Sequence, residues 1–329
     1  MNSKIKKLSW VDLIKPIMLI AFAAFIVIRI PIFLAPSNLI SVLSQGVVIG
    51  LASIGMSMVI FSGEIDISLG GVIYVSGVVA VQVYLHTGSM ILAIVCSVAT
   101  GALCGLLNGI GVAVFNMPSM ITTLAIGNIT TGAGSLLMGK SDALVVPEEY
   151  RLMSQTKILG ITSNIWLYLL IFAVFFVVIH RSRFGRYIYA IGDNRDALNA
   201  AGINVKAKMI TIFVLTGILC SIAALLNTSR LGSSSMLLSV GTETYCIAAV
   251  VVGGASMSGG KGNLLGTFAG AYVVAAVDNL LRLMKVNAYI YDLVWGLIIF
   301  VVVLIDILKT MQAQRVALRQ RPEHAQSPG

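Results

Sequence analysis

Residues 38–61 read NLISVLSQGVVIGLASIGMSMVIF, without one charged side chain. Polar and apolar positions do not alternate in this run, so it is not a half-buried strand. It exceeds the roughly 20 apolar residues that carry a helix across a bilayer. The stretch that follows, SGEIDISLG at 62–70, holds two carboxylates and two glycines, and a second apolar run opens at its end. Lipid offers backbone N–H and C=O groups no partner, and only helices or closed barrels satisfy them internally. The unit written here is therefore two hydrophobic helices joined by a short polar connection.

The same grammar recurs along the chain. Apolar segments fall at about 11–30, 38–61, 69–86, 90–115, 119–138, 164–180, 209–228, 243–257, 264–284 and 289–308. None has the period-two pattern of a membrane barrel. Of 329 residues, 58% are hydrophobic and 11% charged, with mean hydropathy +0.96, whereas a soluble domain carries about 25% charged residues. A water-soluble enzyme is excluded. The expected fold is all-α: a polytopic membrane protein of about 10 transmembrane helices over residues 1–310, with a polar cytoplasmic tail at 311–329.

Lys4, Lys6 and Lys7 ahead of an apolar run mimic a secretory leader, and Ala21-Phe22-Ala23 mimics its cleavage site. That tripeptide lies inside the run rather than after it, so an uncleaved first span is expected. With both termini cytoplasmic, ten spans place fifteen Lys and Arg inside and seven outside, in keeping with the positive-inside bias. The inner loop at 181–208 is then +4 and the outer loop at 139–163 neutral. The net charge of +9 reads as loop asymmetry, not as nucleic-acid binding.

Several motifs carry no chemistry. Cys96, Cys104, Cys220 and Cys246 sit in apolar stretches with no CxxC pair and no histidine at ligand spacing; they read as small buried hydrophobes. GSLLMGKS at 134–141 matches the phosphate-loop pattern letter for letter. That pattern works only between a strand and a helix, and here it ends an apolar helix. No cofactor or metal is expected on this chain, so energy must arrive in trans or from an ion gradient.

Two features bear on packing. Ser62–Gly70 lines up with Ser258–Gly266, a weak internal repeat. Glycines four apart at Gly46/Gly50, Gly101/Gly105, Gly105/Gly109 and Gly266/Gly270 make flat faces for close helix approach, within one subunit or between two. Polar groups inside spans are costly and default to functional roles. Glu64 and Asp66 are expected either to gate or brace the inner side or to cap the next helix. Asn108, Asn128 and Asn227 either face a polar pathway or bond between helices. Asp278 and Arg282 are placed to pair on one helix, and Tyr289, Tyr291 and Trp295 read as an interfacial anchor.

The inner loop continues FGRYIYAIGDNRDALNAAGI at 184–203. Asp193 or Asn194 suits an N-cap, Arg195–Ala201 a short helix and Gly202 its stop. A small-residue helix held by spans at both ends is a physical means of passing a push from a soluble partner into the membrane.

This loop resembles the cytoplasmic signature of permease subunits of bacterial ABC importers for simple sugars (ribose, arabinose, xylose and autoinducer-2), which are related to branched-chain amino-acid permeases. AAVVVGGASMSGGKG at 248–262 and SGEIDISLG at 62–70 resemble two further motifs of that family in the same order. The resemblance implies a permease of the bacterial inner membrane, not itself an enzyme, that imports a monosaccharide or similar polyol. It implies a second permease copy as homodimer or heterodimer, a periplasmic sugar-binding protein, and a cytoplasmic ABC ATPase that binds ATP and magnesium. Asn194, Arg195, Asp196, Ala197, Leu198, Ala201 and Gly202 would form the ATPase coupling loop, and Glu64, Asp66, Asn108, Asn128, Asn227 and Glu243 are gating or translocation candidates. Two departures stand out. Arg195 occupies a position where the family carries an acid, which would call for a matching change in the ATPase. Thr242 and Tyr245 replace the family's Tyr and Asp, so a pathway bordered by that segment would not be tuned to ribose. The rival reading is an ion-coupled secondary solute carrier, which needs ion-binding residues in mid-membrane.

Overall fold

A computed structural model describes residues 30–239 and 241–287 and, between 290 and 304, all but 292, 299, 302 and 303. In chain order its helices are α1 (Pro36–Phe61), α2 (Leu69–Thr87), α3 (Met90–Ala113), α4 (Ser119–Met138), α5 (Glu148–Gln155), α6 (Ser163–Arg181), α7 (Arg183–Asp193), α8 (Arg195–Ala200), α9 (Val205–Leu231), α10 (Thr242–Val252) and α11 (Leu264–Leu283). Seven of them (α1, α2, α3, α4, α6, α9 and α11) are long and apolar enough to cross a membrane. The expected count of about ten is therefore seven among the described residues. The first expected span and the 311–329 tail lie outside these residues, and the tenth span is described only in part. The eighth, expected at 243–257, is the eleven-residue α10. At about 1.5 Å per residue that helix covers only about half of a hydrocarbon core about 30 Å thick.

Successive long helices run antiparallel. One end of the bundle gathers the connections 62–68, 114–118, 182–204 and 253–263; the opposite end gathers 88–89, 139–162 and 232–241. α1, α2 and α9 form the buried middle, while α3, α4 and α6 show apolar side chains such as Leu103, Ile121 and Leu170 to the outside, as helices facing lipid do. The glycine pairs settle within the chain. Gly101, Gly105 and Gly109 of α3 lie against the backbone of α9, Gly266 and Gly270 of α11 against that of α10, and Gly46 and Gly50 of α1 receive the rings of Tyr272 and Tyr168.

Two details were not expected. The loop at 139–163 is folded onto the bundle: Tyr150 of α5 is fully buried with its hydroxyl 3.1 Å from Thr228 Oγ1, and Ser154 N–H donates to Ser229 Oγ at 3.0 Å. Two-residue strands complete this end, β1 (Leu144–Val145) pairing antiparallel with β4 (Ser233–Ser234) and β2 (Lys157–Ile158) with β3 (Ile161–Thr162). Trp295 is no interfacial anchor. It is 3% exposed and sits edge-on to Tyr245 with centroids 5.0 Å apart, among apolar neighbours from α1, α10 and α11. Tyr289 lies outside the described residues. The GSLLMGKS stretch is the tail of α4, ended by Gly139 at φ +73, with Gly134 against the Tyr74 ring; no strand precedes it, so it has no phosphate-loop geometry.

Candidate functional site

The connection between α1 and α2 is built to bury bare backbone. Residues 64–68 run along α4 outside any helix or strand, and hydroxyls four residues apart on that helix take their amides: Ile65 N–H donates to Ser119 Oγ at 3.3 Å and Ile67 N–H to Thr123 Oγ1 at 2.9 Å. Asp66 takes the next group. Its Oδ1 accepts from both the N–H and the hydroxyl of Ser68 at 2.8 and 2.6 Å, and Asn108 of α3 donates to Ser68 Oγ at 2.7 Å. Glu243, half-buried in the first turn of α10, reaches the backbone N–H of Gly70. Two carboxylates from distant segments thus meet the first turn of α2, where unpaired N–H groups and the helix dipole favour negative charge. Burial pushes the Asp66 carboxyl up to about 6, against the lowering effect of the Ser68 hydrogen bonds.

A mutation pair separates charge from hydrogen bonding here. Asp66→Asn keeps an oxygen for Ser68 and removes a charge that burial disfavours, so its thermal midpoint in detergent is expected within a few degrees of wild type. Asp66→Ala leaves a buried N–H without an acceptor, at about 1–3 kcal/mol, and is expected to melt clearly lower. Equal losses in both would show that the charge itself is needed.

The loop at 181–208 holds two helices, α7 and α8, where the sequence suggests one. α7 starts where Ser182 Oγ accepts from Gly185 N–H at 3.2 Å, and it buries Gly185, Ile188 and Ile191, three residues apart. That spacing is legible in the sequence as one apolar face. Tyr189 stacks on Phe61 with centroids 5.2 Å apart and donates to Gly262 O at 3.1 Å. α8 (Arg195–Ala200) falls within the short helix expected at Arg195–Ala201. Asn194 is its N-cap, with Oδ1 accepting from Ala197 N–H at 2.9 Å, and Gly202 at φ +77 is its stop. Leu198 packs against the core, while Asp196, Ala197, Asn199, Ala200 and Ala201 are exposed.

Arg195 turns toward its own chain: Nη2 lies 2.6 Å from Glu64 Oε1 and donates to Ser62 O at 3.0 Å. Beside this pair three connections touch. Gly260 N–H donates to Phe61 O at 2.9 Å, and Gly192, at the end of α7, lies directly over that bond. Gly63 and Gly259, both at φ +81, close the contact. The two stretches that align as a weak repeat thus meet each other, with the end of α7 between them.

The remaining candidates separate. Asn128 is exposed on the outside of α4 and belongs to neither cluster. Asn227 of α9 lines a cavity at the opposite end of the bundle, accepting from Arg230 Nη2 at 3.2 Å. Asp278 and Arg282 of α11 pair as expected, Nε to Oδ2 at 2.8 Å, beside the same cavity. Among the described residues no group of three or more His, Cys, Asp or Glu is placed to hold a metal ion.

Residues 38–303 match the family described as branched-chain amino acid transport system / permease component. The ribose import permease protein of Escherichia coli is 32% identical over 294 residues, covering 88% of this chain and 92% of that protein. The L-arabinose ABC transporter permease protein of Azospirillum brasilense is 32% identical over 291 residues, 88% of this chain and 85% of its own. The fructose import permease protein of Rhizobium meliloti is 30% identical over 300 residues, 88% and 83%. No solved structure matches the chain significantly. With a match across most of its length and relatives of this coverage, the chain belongs to the branched-chain amino acid transport system / permease component family.

Proposed function

We propose that this chain is the membrane-spanning subunit of an ATP-driven importer for a monosaccharide or similar small polyol. A separate cytoplasmic ATPase binds ATP and magnesium, a periplasmic binding protein delivers the solute, and a second permease copy completes the pathway. The end of the bundle bearing α7 and α8 faces the cytoplasm of a bacterial cell, in line with the charge of the 181–208 loop. The observation that carries the reading is α8. Its exposed face is small and featureless enough to seat in a partner's groove, and its other face is tied to the spans through Leu198 and the Arg195–Glu64 pair. A push on α8 is carried by Arg195 to the α1–α2 connection and by Gly192 to the α10–α11 connection. The first leads to Asp66, Ser68 and the start of α2; the second leads to α11.

Ala197 and Ala201 are exposed, so Ala197→Glu with Ala201→Glu is expected to cost no more than about 0.5 kcal/mol of stability. In proteoliposomes holding permease and ATPase, with the binding protein supplied, the variant is expected to hydrolyse ATP while uptake of labelled sugar falls at least tenfold. Normal uptake would overturn the docking assignment. Uptake that survives without ATP and collapses with an ion gradient would overturn the importer reading in favour of an ion-coupled carrier.

A further inference from the structure

We propose that the cavity at the end of the bundle opposite α8 is a solute-binding subsite for one small polyhydroxylated molecule, with Asp278 and Arg230 as its hydrogen-bonding pair. The assignment rests on the importer reading and adds the residues that hold the cargo. The cavity measures about 290 Å³, at the lower end of ligand sites, which run from about 300 Å³ upward. It has room for a single small solute and far more than the roughly 30 Å³ of one water.

Its walls come from four helices. Gln45 stands on α1, Asn227 and Arg230 on α9, Thr242 and Tyr245 on α10, and Asp278 and Arg282 on α11, with Val48 and Ile49 as the buried apolar part of the wall and Leu237 and Leu238 at the rim. Asp278 is 1% exposed. Its Oδ2 is engaged twice, by Gln45 Nε2 and by Arg282 Nε, but its buried Oδ1 has no partner among the described residues. Arg230 donates through Nη2 to Asn227, and its buried Nε likewise has no partner there. An unmet carboxylate oxygen and an unmet guanidinium N–H are each costly. A hydroxyl group donates and accepts at once, so a molecule carrying adjacent hydroxyls satisfies both once a small shift of the two side chains turns these buried atoms toward the cavity, and its C–H faces suit the apolar part of the wall. A purely apolar solute would leave both groups unpaired. Asn227, a pathway candidate from sequence, holds Arg230 in place. Thr242 and Tyr245, where the chain departs from the family pattern, lie in the wall where they can set which hydroxyl arrangement fits.

Leu237 is 94% exposed at the cavity rim, so Leu237→Cys is a suitable reporter. The full-length permease in nanodiscs is treated with a methanethiosulfonate reagent, and modification of position 237 is followed by peptide mass in the presence of D-ribose, L-arabinose or D-fructose. At least one sugar is expected to slow the reaction. Adding Asp278→Asn or Arg230→Gln is expected to raise the protecting concentration about tenfold, the effect of losing a hydrogen bond to a charged group. The labelling rate without sugar should not change. If Asp278→Asn fails to fold, Arg230→Gln decides alone. Absence of protection by all three sugars, or protection at wild-type concentrations in the variants, overturns the subsite. The measurement needs neither ATP nor ATPase, so it can fail while the α8 coupling test succeeds, and the reverse.

Discussion

Gly192→Ala is expected to abolish transport. A methyl group at this position would stand 2.1 Å from Phe61 O and 2.4 Å from Gly260 N, on top of the hydrogen bond between those two atoms. Both neighbours are backbone, so no side chain can rotate out of the way. The end of α7 must lift off, and Arg195, three residues on, is drawn away from Glu64. Overpacking of this kind typically costs about 1–3 kcal/mol, and this site belongs at the upper end. The functional loss should exceed the stability loss, because the joint is where α8, the proposed docking helix, meets both membrane connections. ATP-dependent uptake is expected below a tenth of wild type, with a thermal midpoint several degrees lower and ATP hydrolysis retained. Gly202→Ala is the control. Gly202 also ends a helix, at φ +77, but nothing lies within 4 Å of an added methyl, so it should cost only about 1 kcal/mol of backbone strain and leave uptake largely intact. Equal behaviour of the two variants would sink the role given to the joint.

Much of this joint was legible before any coordinates. The N-cap at Asn194 and the stop at Gly202 follow from capping chemistry that acts within a few residues, and local rules read such features well. The spans were legible because lipid selects long apolar runs. Pairings across the fold were hidden. Nothing near Arg195 in sequence indicates that it pairs with Glu64, more than a hundred residues away. The gathering of Asp66 and Glu243 at the start of α2 depends on how α10 packs, which hydropathy does not encode. α7 was missed although Gly185, Ile188 and Ile191 write its buried face, because a charged loop invites a reading by charge before periodicity. The expected span at 243–257 is longer than α10, since an apolar run that is two-thirds helix and one-third glycine turn looks like one span. Asn128, an amide that sequence alone leaves between a pathway role and a bond between helices, lies exposed on α4.

Gly105→Leu is expected to prevent the protein from accumulating in the membrane at all. In lipid, helices gain little from burying apolar surface against one another, and close packing of small residues takes its place. α3 and α9 use this along a seam where Gly101 and Gly217 face each other and Gly105 lies against Phe213. A Cβ at Gly105 would come within 2.2 Å of Phe213 O and 2.9 Å of Val214 Cα, and one at Gly101 within 2.3 Å of Gly217 O. A leucine there must push the two helices apart along their length. α9 is also the helix to which α5 and the loop at 139–163 are fastened, so separation propagates to the opposite end of the bundle. The expected loss is above about 4–5 kcal/mol, a size reached only by a few mechanisms of which severe core overpacking is one. Gly105→Ala should fold with a depressed thermal midpoint. Gly132→Leu supplies the contrast, since Gly132 is exposed on α4 with nothing within 4 Å of an added Cβ; its membrane level should equal wild type. The comparison also decides what the glycine spacing is for. If the α3 glycines served contact between subunits, Gly105→Leu would yield a folded monomer at normal abundance on size-exclusion chromatography in detergent. A seam inside one subunit yields little protein of any oligomeric state.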